Sequence, residues 1–350
     1  MKHITFDNLT SFTYQVLAHA GLDEFSNDAV TNGLCETSLR GVDSHGVRLL
    51  PHYVKSAMQG RKNPVPNMVF AHKFPAFGLL DADNGFGHAA GMKAIDYGME
   101  MAQTSGIGGV VVANSSHPGA MASFVLKAAR QGYIAFAFTH ADALVLSAGG
   151  RRPLFGTNPI CMAAPREEIE PYCLDMATSV ISWNQLKIHR DTGLELPNSL
   201  AADDAGLPTQ DPDVATSLMA LGSPSAAYKG YALGTMVEIL CGVLSGMAVG
   251  RDIPAMYTAP MDQPRHLGQF YLVMRTDIVG EKDDFCRRMQ SLTDMARAEP
   301  AKDPRGVMFP GDPQIREAVV RRKIGIPIDS KTLTAFHNLS KNFNITLDLV

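Results

Sequence analysis

The sequence predicts an α/β fold: a layered central domain flanked by a mainly helical domain built from both chain ends. Two patterns and the size of the chain carry this expectation. Residues 77–139 alternate short apolar runs with longer amphipathic stretches, the signature of strands and helices in layers. The first 60 residues and the tail from Asp283 instead space apolar residues at three and four, as helices do. At 350 residues, 45% hydrophobic and 19% charged, the chain is long enough and ordinary enough in composition to bury a core over two domains. The expected division is residues 1–75 with 276–350 for the helical part and 76–275 for the α/β part.

Taken in order, Phe12, Val16 and Leu17, then Val30 and Leu34, mark two helices broken near Gly21. Pro51 opens a third helix reaching about Gly60. Residues 61–75 hold three prolines without a period and read as a linker. Residues 77–82 read as a strand and 89–105 as a helix. A buried strand at 108–113, a helix at 119–130 and a strand at 134–139 follow. Short strands fit 161–164 and 172–174, a long helix begins after Lys229 and ends near Gly250, and 270–274 makes one more strand. The nearly uniform apolar stretch 231–250 has the length of a membrane span. Its glycines and central Glu238 favour a buried core helix.

Composition excludes several functions. A formal net charge of −4 without a basic cluster argues against nucleic acid as a partner. Five scattered cysteines without C-x-x-C spacing suit a reducing compartment, and the N-terminus lacks a signal-peptide layout, so a cytoplasmic location is expected. No H-E-x-x-H or cysteine–histidine cluster suggests a metal. Val42 occupies the first glycine position of G-x-S-x-G around Ser44, which removes a nucleophile elbow.

Residues 85–90, G-F-G-H-A-A, match a dinucleotide fingerprint between strand and helix. The acidic residue expected about twenty residues on is missing, because the next strand is followed by Asn114, and Asp81 and Asp83 crowd the site. A glycine turn is therefore the preferred reading. The segment Ser44-His45-Gly46-Val47-Arg48 is more informative. His45 and Arg48 share a helical face, with His52 a turn further on. An imidazole suits proton donation to a carbonyl oxygen as hydride arrives at its carbon, and a guanidinium fork suits a carboxylate. The bland alternative is a capped surface turn with Arg48 in solvent. His117 lies between a strand and a helix, where ligands collect in α/β sheets, and Asp142 at the next strand end is placed to orient it. The alternative for His117 is a helix cap. Gly149-Gly150, Gly156-Thr157-Asn158-Pro159, Asp175-Met176-Ala177-Thr178-Ser179 and Tyr228-Lys229-Gly230 put small, hydroxyl or amide residues where backbone can approach a ligand. Lys229 is a phosphate or ribose candidate, and Lys187, His189 and Arg190 could meet a 2′-phosphate or form a solvated basic face. Each of these segments is also consistent with ordinary turn chemistry.

In this order the stretches RGVDSHGVRLLPHY (40–53), LDADNGFGHAAG (80–91), SSHPGA (115–120), GGRRPLFGTNPICMAAP (149–165), LDMATS (174–179), YKGYAL (228–233) and FPGDP (309–313) resemble the malate/L-lactate dehydrogenase family of non-Rossmann NAD(P)-dependent oxidoreductases. The resemblance covers nearly the whole chain. It implies a non-Rossmann nucleotide-binding domain with a mixed sheet, and a homodimer whose active sites borrow residues from the partner. It also implies hydride transfer with NAD or NADP on a small 2-oxo or 2-hydroxy acid. By matching motif, His45 is the acid/base, Arg48 holds the substrate carboxylate with Ser44 and His52 beside it, and His117 competes with His45 for the proton. Leu174 to Ser179, Lys229, Gly311 and Asp312 match the family's cofactor-contacting positions, and Thr157, Asn158, Tyr228 and His117 join them as cofactor candidates from the residues themselves. Thr139-His140-Ala141-Asp142-Ala143, Ser182-Trp183-Asn184 and the glycine-poor Ser225-Ala226-Ala227-Tyr228 depart from the family pattern and leave substrate and cofactor preference open. A cyclic imino-acid reductase and a non-catalytic nucleotide-binding protein are the rival readings.

Overall fold

The computed structural model describes residues 2–168 and 170–349. Strand β1 (Lys2–Ile4) leads into α1 (Phe6–His19), α2 (Glu24–Leu39) and α3 (Leu50–Met58). Thr5 and Asp23 cap the first two helices by accepting the Asn8 and Ser26 N–H groups, which fixes where each begins. The middle of the chain runs β2 (Val69–Phe74), β3 (Phe77–Asp81), α4 (Gly87–Ser105), β4 (Ile107–Ser115), α5 (Ala122–Arg130) and β5 (Tyr133–Thr139). It continues with β6 (Val145–Leu146), β7 (Pro153–Phe155), β8 (Ile160–Ala164), β9 (Tyr172–Met176), α6 (Trp183–Thr192), β10 (Ala201–Ala202), β11 (Pro208–Thr209) and β12 (Ser217–Leu218). Helix α7 (Ala227–Glu238), a π-helical turn at Ile239–Val243 and β13 (Leu267–Arg275) follow. The tail holds α8 (Lys282–Arg297), α9 (Asp312–Ile324), β14 (Ile326–Ile328) and α10 (Ser330–Phe343).

The main sheet is mixed, with seven strands in the order β2-β3-β4-β13-β5-β8-β9. Only the β3–β4 pair is parallel, and β13 lies antiparallel between β4 and β5. An antiparallel strand inserted between two successive strands of the α/β run breaks the doubly wound order. Helices α4 and α5 cover one face over a core that includes Ile95, Phe124, Val110, Val112 and Tyr271. Helix α7 and the π turn cover the other face through Val237, Cys241, Phe138 and Phe270. A second sheet of short strands, β11-β10-β12-β6-β7, packs with α6 around Leu186, Leu196 and Leu218.

The two chain ends meet: β1 pairs antiparallel with β14, and Phe12 stacks on Phe336 at 5.3 Å. One cluster joins Ile4, Leu9, Leu17, Leu34, Leu50 and Tyr53 with Ile326, Ile328, Phe336 and Ile345.

Two expectations need correction, and a third reading is decided between its alternatives. The presumed linker 61–75 contains β2, which pairs antiparallel with β3 at the sheet edge, where prolines just outside the strand cost no ladder bonds. The long helix stops being α-helical at Glu238. Its stretch is also not wholly buried, because Ile239, Val243 and Leu244 are 51%, 64% and 55% exposed. The glycines of 85–91 serve packing rather than phosphate approach. A Cβ on Gly87 would meet the Ser116 carbonyl oxygen at 2.1 Å, and one on Gly91 the Tyr271 hydroxyl at 2.5 Å.

Candidate active site

A cavity of about 1410 Å³ lies where α2, the turns after it, the β4–α5 loop, the end of β9 and the segments 255–258 and 308–311 converge. Pockets for one drug-sized ligand run roughly 300–1,000 Å³, so this one has room for a dinucleotide and a small second molecule. Ser44, His45, His117, Asp142, Thr157, Leu174, Asp175, Met176, Ala177, Ser179 and Gly311 line it. Arg48, His52, Asn158, Thr178, Tyr228, Lys229 and Asp312 do not.

His45 sits in a 3₁₀ turn, Asp43–His45, with Gly46 as the hinge to the next turn. Ser38 Oγ accepts the Val47 N–H at 3.0 Å, and a Cβ on Gly46 would fall 2.0 Å from that oxygen, so the close approach requires glycine. Arg321 of α9 pins the turn from outside, donating to both Asp43 carboxylate oxygens and to the Ser38 carbonyl. His117 is held from the opposite side. Ser116 Oγ accepts the Gly87 N–H and donates to the Gly85 carbonyl, which ties the β4–α5 loop to the start of α4. Gln269 of β13 donates to Ser115 Oγ and to the Ser116 carbonyl, and is itself oriented by the Tyr271 hydroxyl at 2.7 Å. Both histidines therefore rest on a satisfied polar framework.

The two rings stack with centroids 5.8 Å apart and planes 20° from parallel. Ser44 Oγ lies 2.9 Å from His45 Nδ1. His117 Nδ1 receives the Gly119 N–H at 3.3 Å and faces the Tyr53 hydroxyl at 2.9 Å. A backbone N–H can only donate, so His117 Nδ1 is an acceptor and the neutral ring carries its proton on Nε2. The serine hydroxyl beside His45 can donate or accept, so that ring is free to take either tautomer. Burial lowers the His45 imidazole to about 4. Burial, reinforced by His45, Lys62, Arg265 and His88, pulls His117 well below its usual range. Both rings are neutral at neutral pH.

Behind them lies an unusual layer. Tyr53 is fully buried, and the Lys62 side-chain nitrogen stands 3.9 Å over its ring and 4.6 Å over that of Phe86. Lys62 is 2% exposed, and its nitrogen has no hydrogen-bond partner among the described residues. Burial, then Arg265 and Arg61, pulls it well below the usual lysine range. His88 meets Tyr53 edge-on at 5.5 Å and is pushed by burial to about 3.

Asp142 lines the cavity but does not orient His117, which corrects the expectation from the strand ends. Its carboxylate is taken by the buried Arg265 guanidinium and accepts the Met256 N–H at 3.2 Å. Tyr53 and the Gly119 N–H hold the ring instead. Arg48 is half-buried beside the cavity, and His52 packs on Tyr257 at 5.6 Å. Burial, with the charges of Lys62, Arg61, Arg265 and Lys187, lowers His52 to about 3.

Asp175 faces the open cleft, where burial in the cavity floor raises its carboxyl to about 6 although it accepts the Ala122 N–H at 2.9 Å. Asn158 is wholly buried, donating to the Gly234 carbonyl and to Glu238. Thr178 bonds the Thr157 carbonyl at 3.0 Å. Asp312 pairs with Arg297 and accepts the Phe309 N–H, which fixes the turn that carries Gly311, at φ +99°, to the cavity wall. These three brace the wall from behind. Tyr228 and Lys229 are exposed on α7. His189 and Arg190 are spent on the Glu195, Pro212 and Ala215 carbonyls, so they face the second sheet.

Residue reasoning missed Tyr53, Lys62 and Arg265 as parts of the site. Asn184, which belongs to a departure from the family pattern, and Tyr257 both line the cavity. The Asn184 amide donates to the Ser44 carbonyl at 2.7 Å.

The malate/L-lactate dehydrogenase family model matches residues 4–337. The chain belongs to the malate/L-lactate dehydrogenase family. Among its relatives, malate dehydrogenase of Pyrococcus abyssi is 32% identical over 346 residues, covering 97% of this chain and 94% of that one. Ureidoglycolate dehydrogenase (NAD(+)) of Escherichia coli is 31% identical over 312 residues, 89% and 88% of the two chains. The crystal structure of malate dehydrogenase from Entamoeba histolytica superposes with a TM-score of 0.93 over 99% of both chains at 28% identity. Membership of this family makes the chain an oxidoreductase of the type that acts on 2-hydroxy acids, and dehydrogenases of the family use nicotinamide cofactors. The mixed sheet agrees with the family fold. No helix of the described residues is long and apolar enough to cross a membrane.

Proposed function

We propose that the chain moves a hydride between nicotinamide C4 and C2 of a small 2-oxo or 2-hydroxy acid, with His45 moving the proton and Arg48 holding the carboxylate. The observation that carries this reading is the stacked His45–His117 pair on the wall of a cavity large enough for two ligands. The cavity fits a nicotinamide dinucleotide: residues 174–177 and Gly311 offer backbone and small side chains along one wall. When bound, that cofactor supplies or accepts the hydride.

The chain's own residues handle the rest. His117, with Nδ1 engaged, presents an Nε2–H that can only donate, so it steadies the substrate oxygen. His45 can exchange tautomers through Ser44 and therefore can both give and take a proton. Its lowered pKa makes it a base at neutral pH, which suits removal of the alcohol proton. In the reductive direction the incoming carboxylate favours the charged imidazolium and raises that pKa toward the working range.

A homodimer completes the reading. The apolar face of α7 and the π turn, with Leu233, Met236, Ile239, Val243 and Leu244 open to solvent, is the surface a second copy would cover. Light scattering on the purified protein at low concentration should return twice the chain mass; a monomer removes this part.

The test of the activity is oxidation of NADH and NADPH against pyruvate, oxaloacetate, 2-oxoglutarate and diketogulonate, with ureidoglycolate in the oxidative direction. Turnover of at least one acid is expected. A protein that binds the cofactor but turns over none of them contradicts the reading.

A further inference from the structure

Part of the cavity wall, Ala255 to Thr258, comes from a stretch before β13, residues 253–266, that forms neither helix nor strand. Within 254–260 the one backbone–backbone bond among the described residues runs from the Ala259 N–H to the Ala255 carbonyl, at 3.3 Å. A segment held so lightly is ordinarily mobile. Yet it shapes the catalytic end of the site. The Tyr257 ring packs on His52 at 5.6 Å, and its hydroxyl lies 3.5 Å from Asn184 Oδ1. Asn184 in turn donates to the carbonyl of Ser44, next to His45.

Two buried arginines supply what the backbone lacks. Arg61, just past α3, donates from Nη1 to the Met256 carbonyl at 2.6 Å. Its Nη2 donates to the Ala259 and Pro260 carbonyls at 2.5 and 2.7 Å. Arg265, just before β13, donates from Nε to the Pro254 carbonyl at 2.7 Å and from Nη2 to Asp142. The other Asp142 oxygen accepts the Met256 N–H at 3.2 Å. The segment is thus gripped from the helical part on one side and from the sheet on the other. Arg61 is the more telling of the two. All hydrogen bonds of its guanidinium go to carbonyls of this one segment, and it forms no ion pair with a carboxylate among the described residues. Burying a guanidinium without a counter-ion is costly as a way to gain stability. What its rigid fork of five donors provides is a fixed shape, because it holds several carbonyls at once.

We propose that Arg61 and Arg265 are positioning residues that hold Met256 and Tyr257 as a preformed wall against which the substrate is seated. Neither arginine lines the cavity, so both act through the segment. The role in substrate binding rests on the 2-oxo-acid reading above; the preformed wall does not.

The experiment is a double-mutant cycle of Arg61→Lys and Tyr257→Ala, read with the acid and cofactor that the wild type turns over fastest. Arg61→Lys keeps the charge and loses the fork, so KM for the acid should rise roughly tenfold. Its kcat should stay within about threefold, and cofactor affinity by fluorescence titration should be kept. On the Tyr257→Ala background the same replacement should change KM by less than about twofold, because the wall it positions is already gone. An unchanged KM in Arg61→Lys, an equal rise on both backgrounds, or parallel losses of KM, kcat and cofactor affinity overturns the proposal. Hydrogen exchange read by mass spectrometry tests the wall without turnover. The wild-type Met256 amide, bonded to a carboxylate, should exchange at least about tenfold more slowly than in the unfolded chain. Arg265→Lys should remove most of that protection while β13 keeps its own. A Met256 amide that exchanges as fast as the unfolded chain in the wild type overturns the proposal whether or not the variants fold. A wild type with a protected Met256 that turns over no 2-oxo acid removes the functional reading and leaves the wall standing.

Discussion

Lys62→Met exchanges a buried amine for an apolar side chain of similar length. The lysine nitrogen lies over the Tyr53 and Phe86 rings and finds no hydrogen-bond partner among the described residues. Burial is the main cause that holds its pKa far below the ordinary lysine range, with Arg265 and Arg61 adding to it. The unfolded chain takes up a proton on Lys62 below about pH 10.4, whereas the folded chain does not until its own, lower pKa. Stability is therefore lost as pH falls from the unfolded pKa toward the folded one, by up to about 1.4 kcal/mol per pH unit. The methionine variant escapes this loss and keeps the aromatic packing. Urea unfolding of both proteins at pH 8, 9 and 10 is the assay. The stability gap in favour of Lys62→Met should be smallest at pH 10 and widen by roughly 1 kcal/mol per unit toward pH 8. A gap that is the same at every pH, or a variant less stable than wild type at pH 8, refutes the assignment of Lys62 as a buried neutral amine.

Three further outcomes follow from the site. His45→Ala should lose about 10²–10⁴-fold in kcat while cofactor titration by fluorescence shows binding kept; full activity would pass the role to His117. Tyr53→Phe removes the hydroxyl beside His117 Nδ1 and should cost about 1 kcal/mol, roughly fivefold in kcat, with little change in Tm because the ring remains; an unchanged kcat would show that the Gly119 N–H suffices. His88 is pushed down to about 3 by burial, so the unfolded chain binds a proton there that the folded chain refuses. Stability present above pH 6.5 should drain away between pH 6.5 and 3, at up to about 1.4 kcal/mol per unit. Acid titration of the unfolding midpoint checks this, and a flat profile down to pH 4 would contradict it.

Elements whose patterns are local were legible in the sequence. The β3 to β5 run shows in its alternation because each strand and helix carries its own apolar period. His117 and the 174–179 segment stood out because small and polar residues interrupt apolar runs at strand ends, and His45 because it stands three residues before Arg48. What depends on distant pairing was not legible. Nothing near residue 270 says that β13 will insert antiparallel between β4 and β5. The strands of the second sheet are mostly only two residues long and carry no period. Asp142 was matched to His117 by strand-end proximity, but Arg265, 123 residues later, holds its carboxylate. The apolar 231–250 stretch was read as wholly buried because periodicity cannot tell a face packed in the same chain from one left open.

The most direct test of the central claim is the fate of the hydride. The protein would be incubated with nicotinamide dinucleotide carrying deuterium at C4 and with oxaloacetate or pyruvate, and the hydroxy acid analysed by mass spectrometry. The account predicts a product one mass unit heavier, with the deuterium on C2. Product formed without deuterium from either C4 face, or cofactor oxidised with no hydroxy acid appearing, would contradict it.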